Sequence, residues 1–260
     1  MLAQDHWAEV RAELDVWSSK KRAALFWWRD DAATDVNAKL QRLLAVAEEF
    51  EAPVALSAIP AKATPRLAKL IAKSNVAEIL VHGLHHENHA ARDRTKRELG
   101  GEATLDAVLL DAATGLRLAR ARFGANCLPV LVPPWNRITA RAIPHLPKLG
   151  FKGLSTWKPR EHKFAAPGLL QVNAHLDVID WRHDRVLKSE QAIAALLLRK
   201  LRWRREKAVR MEEPLGLLTH HALWNARKEK LMTGLLEALK SHPAVRFVKA
   251  SEAFELKAAE

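Results

Sequence analysis

The chain has 260 residues, 48% of them hydrophobic, and a single cysteine. A chain of this length and composition can bury a large core, and one cysteine excludes an intramolecular disulfide. Lys and Arg exceed Asp and Glu to give a net charge of +12, which excludes neither an anionic substrate nor a nucleic-acid partner.

Short apolar runs alternate with helical patterns along the chain. Residues 7–17 have helical spacing and predict an added N-terminal helix within residues 1–20. Runs with the length of buried strands follow at 23–28, 53–58, 77–81, 128–132, 153–157, 169–172, 215–218 and 245–249. Helical stripes lie between several of them, at 40–50, 105–116 and 231–239. This alternation predicts an α/β protein with a parallel sheet, closed or nearly closed into a barrel, as one domain over residues 1–260.

Polar residues follow five of the predicted strands. They are Asp30 and Asp31, the four histidines of segment 82–89, segment 133–137 (PPWNR), segment 177–181 (DVIDW) and segment 219–221 (THH). Because the carboxyl ends of parallel barrel strands form one face, we expect these five segments to converge on one cleft.

The histidine segment and the aspartate pair have the composition of a metal site. Two histidines at i and i+4 with a carboxylate supply three ligands and leave one position open for water. Two pairs have this spacing, His82 with His86 and His85 with His89. The sequence therefore predicts one divalent ion, zinc, and a hydrolytic reaction.

Taken in order, the five segments resemble the polysaccharide deacetylase family (carbohydrate esterase family 4, the NodB homology domain). The stretches FWWRDDA, HGLHHENHA, VPPWNRI and GLLTHH are similar to a bacterial WWRDD-type, polysaccharide deacetylase-like subgroup, over roughly residues 22–250. The resemblance implies a distorted (β/α)7-8 barrel of the NodB type. It also implies a metal-dependent hydrolase of a C–N amide bond, most simply one that removes the N-acetyl group of an amino sugar.

The resemblance implies a role for each motif. The family's Asp-Asp motif falls on Asp30, the general base, and Asp31, a metal ligand. Its His-x-x-x-His motif falls on His82 and His86, because His82 directly follows the strand, and its Leu-x-His motif makes His220 the general acid. The residues expected to contact the substrate or oxyanion, or to support the ligands, are His85, His89, Pro134, Trp135, Asn136, Arg137, Arg29, Asp177, Asp180, Trp181 and His221.

The chain departs from the family pattern where an arginine should orient the catalytic base. Val132 occupies that position, although Asp177 and Asp180, which would anchor the arginine, are present. Arg29 and Arg137 are the candidate replacements. Alternation along a strand points Arg29 away from the base, so we favour Arg137. The hypothesis fails if neither guanidinium lies within roughly 4 Å of the base or of an anchor aspartate.

Three alternatives stay open. The missing arginine would suit a catalytically silent metal-binding protein. The first residues lack a secretory signal, which would suit a deacylase or amidase acting on a non-sugar amide inside the cell. The basic run 199–207 would suit a nucleic-acid or polyanion binder, but apolar residues at helical spacing in the same stretch favour a solvated helix face.

The remaining expectations concern location and partners. Since no apolar run approaches the roughly 18 residues of a membrane span, and no signal is recognised, we expect a cytoplasmic protein. Its partner is expected to be a small or oligomeric N-acetylated substrate, with no membrane and no nucleic acid. The sequence does not predict the oligomeric state.

Overall fold

The computed structural model describes residues 5–92, 94–181, 183–206 and 213–256. The strands are β1 (Ala24–Ala33), β2 (Val54–Ala58), β3 (Ala77–Val81), β4 (Cys127–Leu131), β5 (Gly153–Leu154), β6 (Phe164–Ala166), β7 (Leu169–Gln171), β8 (Leu176–Asp177), β9 (Ile179–Asp180), β10 (Val186–Leu187), β11 (Leu215–Thr219) and β12 (Val245–Phe247). The α-helices are α1 (Ala8–Ser19), α2 (Ala38–Glu49), α3 (Pro65–Ile71), α4 (Leu105–Phe123), α5 (Glu190–Glu206), α6 (Ala226–Lys240) and α7 (Ala250–Ala253). Short 3-10 helices cover Gly124–Asn126, Pro134–Asn136, Ile143–Leu149 and His221–Leu223.

The main sheet is curled and almost entirely parallel. Its strand order is β6-β7-β5-β4-β3-β2-β1-β11-β8, with β12 beside the first residues of β1. Only the β6–β7 pair is antiparallel in this sheet. The segment that contains β7 and β8 pairs with β5 at its beginning and with β11 at its end. The two ends of the sheet are therefore joined through one segment, which confirms the predicted barrel-like parallel architecture.

The apolar runs form the core that holds the sheet and helices together. Phe26, Trp27 and Trp28 in β1 are all buried, as expected for a parallel strand covered on both faces. The α2 stripe predicted from residues 40–47 is buried as well. Burying a large apolar side chain contributes about 1.5–3 kcal/mol, so these elements are stabilised mainly by packing against one another.

Helix starts are set by local chemistry. The Asn37 side chain accepts the Leu40 N–H at the start of α2, and the Asn225 side chain accepts the Lys228 N–H at the start of α6. Such caps satisfy backbone donors that the first turn leaves unpaired. Thr64 caps α3 in the same way, directly before Pro65, although the apolar pattern did not predict that helix.

Several strand boundaries differ from the sequence expectation, and the differences in β1 and β5 bear on the site. β1 continues to Ala33, so that Asp30 and Asp31 lie inside the strand rather than after it. The strand expected over 153–157 is limited to Gly153–Leu154. The expected N-terminal helix is present as α1, and it packs against α5 and α6. In the part of the chain that is described, no helix is long and apolar enough to cross a membrane.

Candidate active site

The centre of the site is an ion pair between two residues of β1. Side chains alternate along a strand, so Arg29 and Asp31 share one face and Asp30 takes the other. The Arg29 Nε atom lies 2.9 Å from Asp31 Oδ1, and its Nη2 donates to Asp31 Oδ2 at 3.1 Å. The Arg29 side chain is completely buried. Two adjacent carboxylates of one strand are thus placed in different environments.

The Arg29 guanidinium also reaches the far side of the barrel. It donates to Ser155 Oγ at 2.7 Å, to the Thr156 carbonyl at 3.3 Å and to Asn136 Oδ1 at 2.6 Å. Ser155 follows β5, which is separated from β1 by three strands in the sheet. The Arg29 side chain therefore crosses the interior of the barrel and joins three of its segments.

Asp31 is ionised in this environment. Burial alone would raise its pKa, but the charge of Arg29, with smaller contributions from His82 and His220, holds the pKa below its ordinary value. The same interactions place Asp31 near both histidines. The structure thus brings together the residues predicted at the ends of the first, third and late strands.

His82 and His86 form the second part of the site. The His82 Nδ1 donates to the Val132 carbonyl at 2.9 Å, which leaves Nε2 free, and the His82 and His86 ring centroids are 5.1 Å apart. Burial lowers the pKa of His82 to about 4 and also lowers that of the half-buried His86. Both imidazoles are therefore favoured in the neutral form, the form that binds metal or accepts a proton.

A buried carboxylate organises the histidine loop. Glu98 accepts the backbone N–H groups of Leu84 at 3.3 Å, His85 at 2.7 Å and Glu87 at 3.4 Å. The His85 side chain is exposed, while His89 donates through Nδ1 to the Glu98 carbonyl at 2.9 Å. The alternative pair, His85 with His89, is therefore not assembled as a ligand pair.

His220 follows β11 and lies beside Trp181. Their ring centroids are 4.8 Å apart, with the rings edge to face. Asp177 accepts the Trp181 indole N–H at 2.6 Å, and burial raises the Asp177 pKa although the charge of His220 opposes the shift. The His220 Nδ1 is buried without a hydrogen-bond partner among the described residues. Asp180 instead accepts from His183 at 2.9 Å, at the surface.

Asp30 belongs to a separate buried pair. Its Oδ1 lies 2.5 Å from His221 Nδ1, and its Oδ2 accepts the Thr219 hydroxyl at 2.6 Å. The Asp30 side chain has no exposed surface. A carboxylate with both oxygens bonded and no exposed surface is not placed to take a proton from water. This geometry does not favour the expected role of Asp30 as general base, which stays a prediction.

The two candidate arginines have other partners. Arg137 donates to the Lys96 carbonyl at 3.2 Å, and Arg29 pairs with Asp31. In the described part of the chain, neither forms an ion pair with Asp30 or Asp177. Arg29 pairs on the face of β1 opposite Asp30, as strand alternation indicated, and the preference for Arg137 stays a prediction.

The segment after β4 closes one side of the site. Trp135 and Asn136 both have left-handed backbones, with φ of 55° and 59°, and the Trp135 ring centroid lies 4.4 Å from that of His86. Pro134 is buried against Gly83, where an added Cβ would lie 2.8 Å from the proline ring and 1.8 Å from Glu98 Oε2. Only a glycine allows this close approach.

His82, His86 and Asp31 are the three donors that the sequence predicts for a metal ion. The neutral imidazoles of His82 and His86 suit a divalent ion. The Asp31 carboxylate pairs with Arg29, although its Oδ1 accepts no hydrogen bond, and no group of three or more His, Cys, Asp or Glu side chains is arranged to hold an ion within residues 5–92, 94–181, 183–206 and 213–256. In this arrangement the charge of Asp31 is matched by Arg29, so the three donors do not fit a three-ligand site.

Three residues of the site were missed by sequence reasoning: Glu98, Ser155 and Lys228. Lys228 is buried and donates to the His220 carbonyl at 3.1 Å; burial lowers its pKa to about 8, against the opposing charges of Asp30 and Asp177. Lys228 lies at helical spacing from the apolar residues of α6, and this spacing could have predicted that Lys228 is buried. Glu98 and Ser155 had none, because their partners are distant in sequence.

Comparisons with known proteins identify the fold. No known family of sequences and no curated protein matches this chain. Among solved structures, it is similar to a putative polysaccharide deacetylase from Mycobacterium smegmatis, with a TM-score of 0.65 and 17% identity over 90% of each chain. It is also similar to the Bc1960 peptidoglycan N-acetylglucosamine deacetylase, with a TM-score of 0.58 and 14% identity over 94% of this chain and 99% of that one.

A third similar structure is a family 4 acetyl xylan esterase from Clostridium thermocellum in complex with a cobalt ion, with a TM-score of 0.56 and 14% identity over 89% of this chain and 90% of that one. The fold is that of the polysaccharide deacetylases and family 4 carbohydrate esterases, which confirms the predicted NodB-type barrel. The narrower WWRDD-type subgroup stays a prediction.

Proposed function

We propose that this chain is a hydrolase that removes the acyl group from an N-acylated sugar by cleaving the amide C–N bond. The observation that carries the proposal is the convergence of one ionised carboxylate, Asp31, with His82, His86 and His220 at the carboxyl ends of three strands. One similar structure is named as a peptidoglycan N-acetylglucosamine deacetylase, which supports an N-acetylated amino sugar as the substrate class.

Asp31 is the proposed general base. Amide hydrolysis requires a group that takes a proton from the attacking water. Asp31 lies on the same face of β1 as Arg29, which keeps it ionised and limits its rotation. This assignment moves the base by one residue from the sequence expectation, because Asp30 is committed to His221 and Thr219.

His220 is the proposed general acid. An amine leaves readily only after it is protonated, so an acid is needed opposite the base. His220 has a buried Nδ1 without a partner among the described residues, and it lies near the Asp177 carboxylate. An imidazole can carry a proton and release it, which suits this role.

Two tryptophans are proposed to contact the sugar ring. Trp181, which is 49% exposed, lies against His220, and Trp135 lies against His86. Aromatic faces of this kind pack against the apolar face of a sugar ring.

The proposed substrate is a small or oligomeric N-acetylated sugar. The proposed location is the cytoplasm, and no membrane partner is proposed.

Zinc dependence stays a prediction. His82 and His86 are the side chains that would hold the ion, and a bound zinc would supply Lewis-acid polarisation of the scissile carbonyl. Because Asp31 is held by Arg29, the roles of Asp31 and His220 above do not pass through a metal.

The proposal is tested by acetate release from a panel of N-acetylglucosamine oligomers, with acetylated xylan as the O-acetyl comparison. Asp31→Asn and His220→Ala are each expected to lower kcat by about 100-fold or more, because one removes the group that takes a proton from water and the other the group that gives a proton to the amine. Both are expected to remain folded by circular dichroism, with a lower melting temperature for Asp31→Asn because it leaves the buried Arg29 without its charged partner. The exposed His162→Ala is the control and is expected to keep wild-type kcat. Near wild-type kcat in either site variant contradicts its role.

The Arg29–Asp31 ion pair favours one second candidate, a catalytically silent relative that binds carbohydrate or metal without turnover. A carboxylate beside a buried guanidinium is a weaker base than a free one, although only Oδ2 of Asp31 accepts a hydrogen bond from Arg29. This candidate predicts no acetate release from any member of the panel, with or without added zinc, together with measurable binding of the same oligomers.

A further inference from the structure

The cation beside Asp31 is part of the protein itself. A three-ligand site would use the Asp31 carboxylate to bind a dication. Its Oδ2 instead accepts from Arg29 Nη2 at 3.1 Å, and its Oδ1 lies 2.9 Å from Arg29 Nε, a distance within ion-pair range although neither of these two atoms forms a hydrogen bond among the described residues. Asp31 and Arg29 are adjacent on one face of the same strand, so this pairing follows directly from the β1 sequence.

Arg29 is also held so that it cannot leave Asp31 free. Its side chain has no exposed surface, and its guanidinium donates to Ser155 Oγ and Asn136 Oδ1 as well as to Asp31. These partners come from three different segments of the barrel. Moving the guanidinium away would leave several buried polar groups unpaired, which is costly.

A dication at Asp31 would therefore meet a fixed positive charge. In a buried setting, like charges at contact distance repel strongly because little water screens them. The Arg29 charge adds to the effect of burial in lowering the pKa of His82, but the His82 Nε2 makes no hydrogen bond among the described residues and is left for another ligand.

We propose that Arg29 is the resident cation of this site and prevents Asp31 from serving as a metal ligand, leaving His82 and His86 as a two-nitrogen site. The role of Asp31 as general base rests on the proposed function. The zinc affinity of this site does not depend on that function. Zinc binding is measured without substrate, so failure of this inference and failure of the proposed function are distinguishable.

The test is calorimetric titration of zinc into the metal-stripped full-length protein and its variants. His86→Ala is expected to weaken zinc binding by about tenfold or more, because it removes one of two ligands. Asp31→Asn differs from wild type by one atom and keeps an acceptor for Arg29. Asp177→Asn is the matched control. It removes a nearby carboxylate that is not proposed as a zinc ligand, so it measures how much the loss of a carboxylate away from the ion weakens zinc binding.

The comparison of the two carboxylate variants decides the proposal. The proposal stands if the zinc dissociation constant of Asp31→Asn is no more than about three times that of Asp177→Asn. A larger ratio would mean that Asp31 is a zinc ligand and would overturn the proposal. A third variant, Arg29→Met, is expected to tighten zinc binding by about tenfold or more, because it frees Asp31. The Arg29→Met result is interpreted only if the variant melts like the wild type. The comparison of Asp31→Asn with Asp177→Asn decides the proposal without it.

Discussion

Asp30 and Asp31 are neighbours in sequence with opposite surroundings. Each has its own cationic partner, His221 for Asp30 and Arg29 for Asp31, on opposite faces of β1. Separate partners offset the repulsion between two adjacent buried carboxylates. The Asp30 pair therefore links β1 to the residues after β11, and the Arg29–Asp31 pair lies on the face of β1 nearest His82.

The Asp30–His221 pair predicts a pH dependence of stability. Burial lowers the His221 pKa, but the charge and hydrogen bond of Asp30 outweigh it and raise the pKa above the ordinary 6.5. A histidine whose pKa is raised by folding stabilises the protein fully below about pH 6.5, and the stabilisation is lost as pH rises through the folded-state pKa.

His221→Gln should therefore lower the free energy of unfolding more at about pH 6 than at about pH 9. Urea denaturation of wild type and variant across this range measures the difference. The exposed His162→Gln serves as the control and should show no such trend. A stability difference that grows as pH rises would show that the pair is not a charged one.

At the scale of elements, the loop after β3 depends on a residue more than ten positions further along the chain. The Glu98 carboxylate is 1% exposed and bonds to three backbone N–H groups of the segment that carries His86. His86 itself has a left-handed backbone, with φ of 58°, which costs free energy in a non-glycine residue. Glu98 holds the segment in this conformation.

Glu98→Gln is expected to loosen that loop, because the amide NH2 would face backbone donors in place of an acceptor oxygen. The expected loss is about 1–3 kcal/mol of unfolding free energy, with faster amide hydrogen exchange at Leu84 and His85. Glu87→Gln changes an exposed carboxylate of the same loop and provides the matched control. Unchanged exchange at both amides in Glu98→Gln would contradict the role given to Glu98.

At the scale of the molecule, part of the basic run 199–207 is used inside the fold. Arg205 Nε lies 2.6 Å from the buried Glu13 of α1, and Arg202 Nε lies 3.6 Å from the same carboxylate. Arg204 is buried and donates to the Glu213 carbonyl. Residue 207 lies outside the described residues. These contacts favour the interpretation of the run as an ordinary helix face that docks α1 against α5.

The docking of α1 gives a stability prediction. Glu13→Gln should lower the unfolding free energy by about 1–3 kcal/mol, since it leaves the Arg205 guanidinium without its charged partner. Glu9→Gln is the control, because Glu9 is 77% exposed and lies 3.9 Å from Arg202; its effect should stay within about 0.5 kcal/mol. Equal losses in urea denaturation would show that the Glu13 pair does not hold α1.

The sequence by itself determined the order and type of most of the main elements, with α3 as the exception. The spacing of apolar residues differs between buried strands and amphipathic helices, so that β3 matches its predicted bounds, α4 and α6 cover their predicted stripes, and α1 and α2 each miss one terminal residue. The sequence also predicted that Asp31, His82 and His220 lie near one another, because the carboxyl ends of parallel strands share one face.

Only the tertiary structure decided which charge pairs with which. Strand alternation allowed Arg29 to face Asp31, but the pairing is completed by Ser155 and Asn136, more than one hundred residues away. Asp30 likewise became a buried structural residue through His221, from the end of β11. The sequence records the spacing of apolar residues and the chemistry of each side chain. The partner of a buried charge is set by distant segments that folding brings within hydrogen-bond distance, and this is why the partners of Asp30 and Asp31 required the structure.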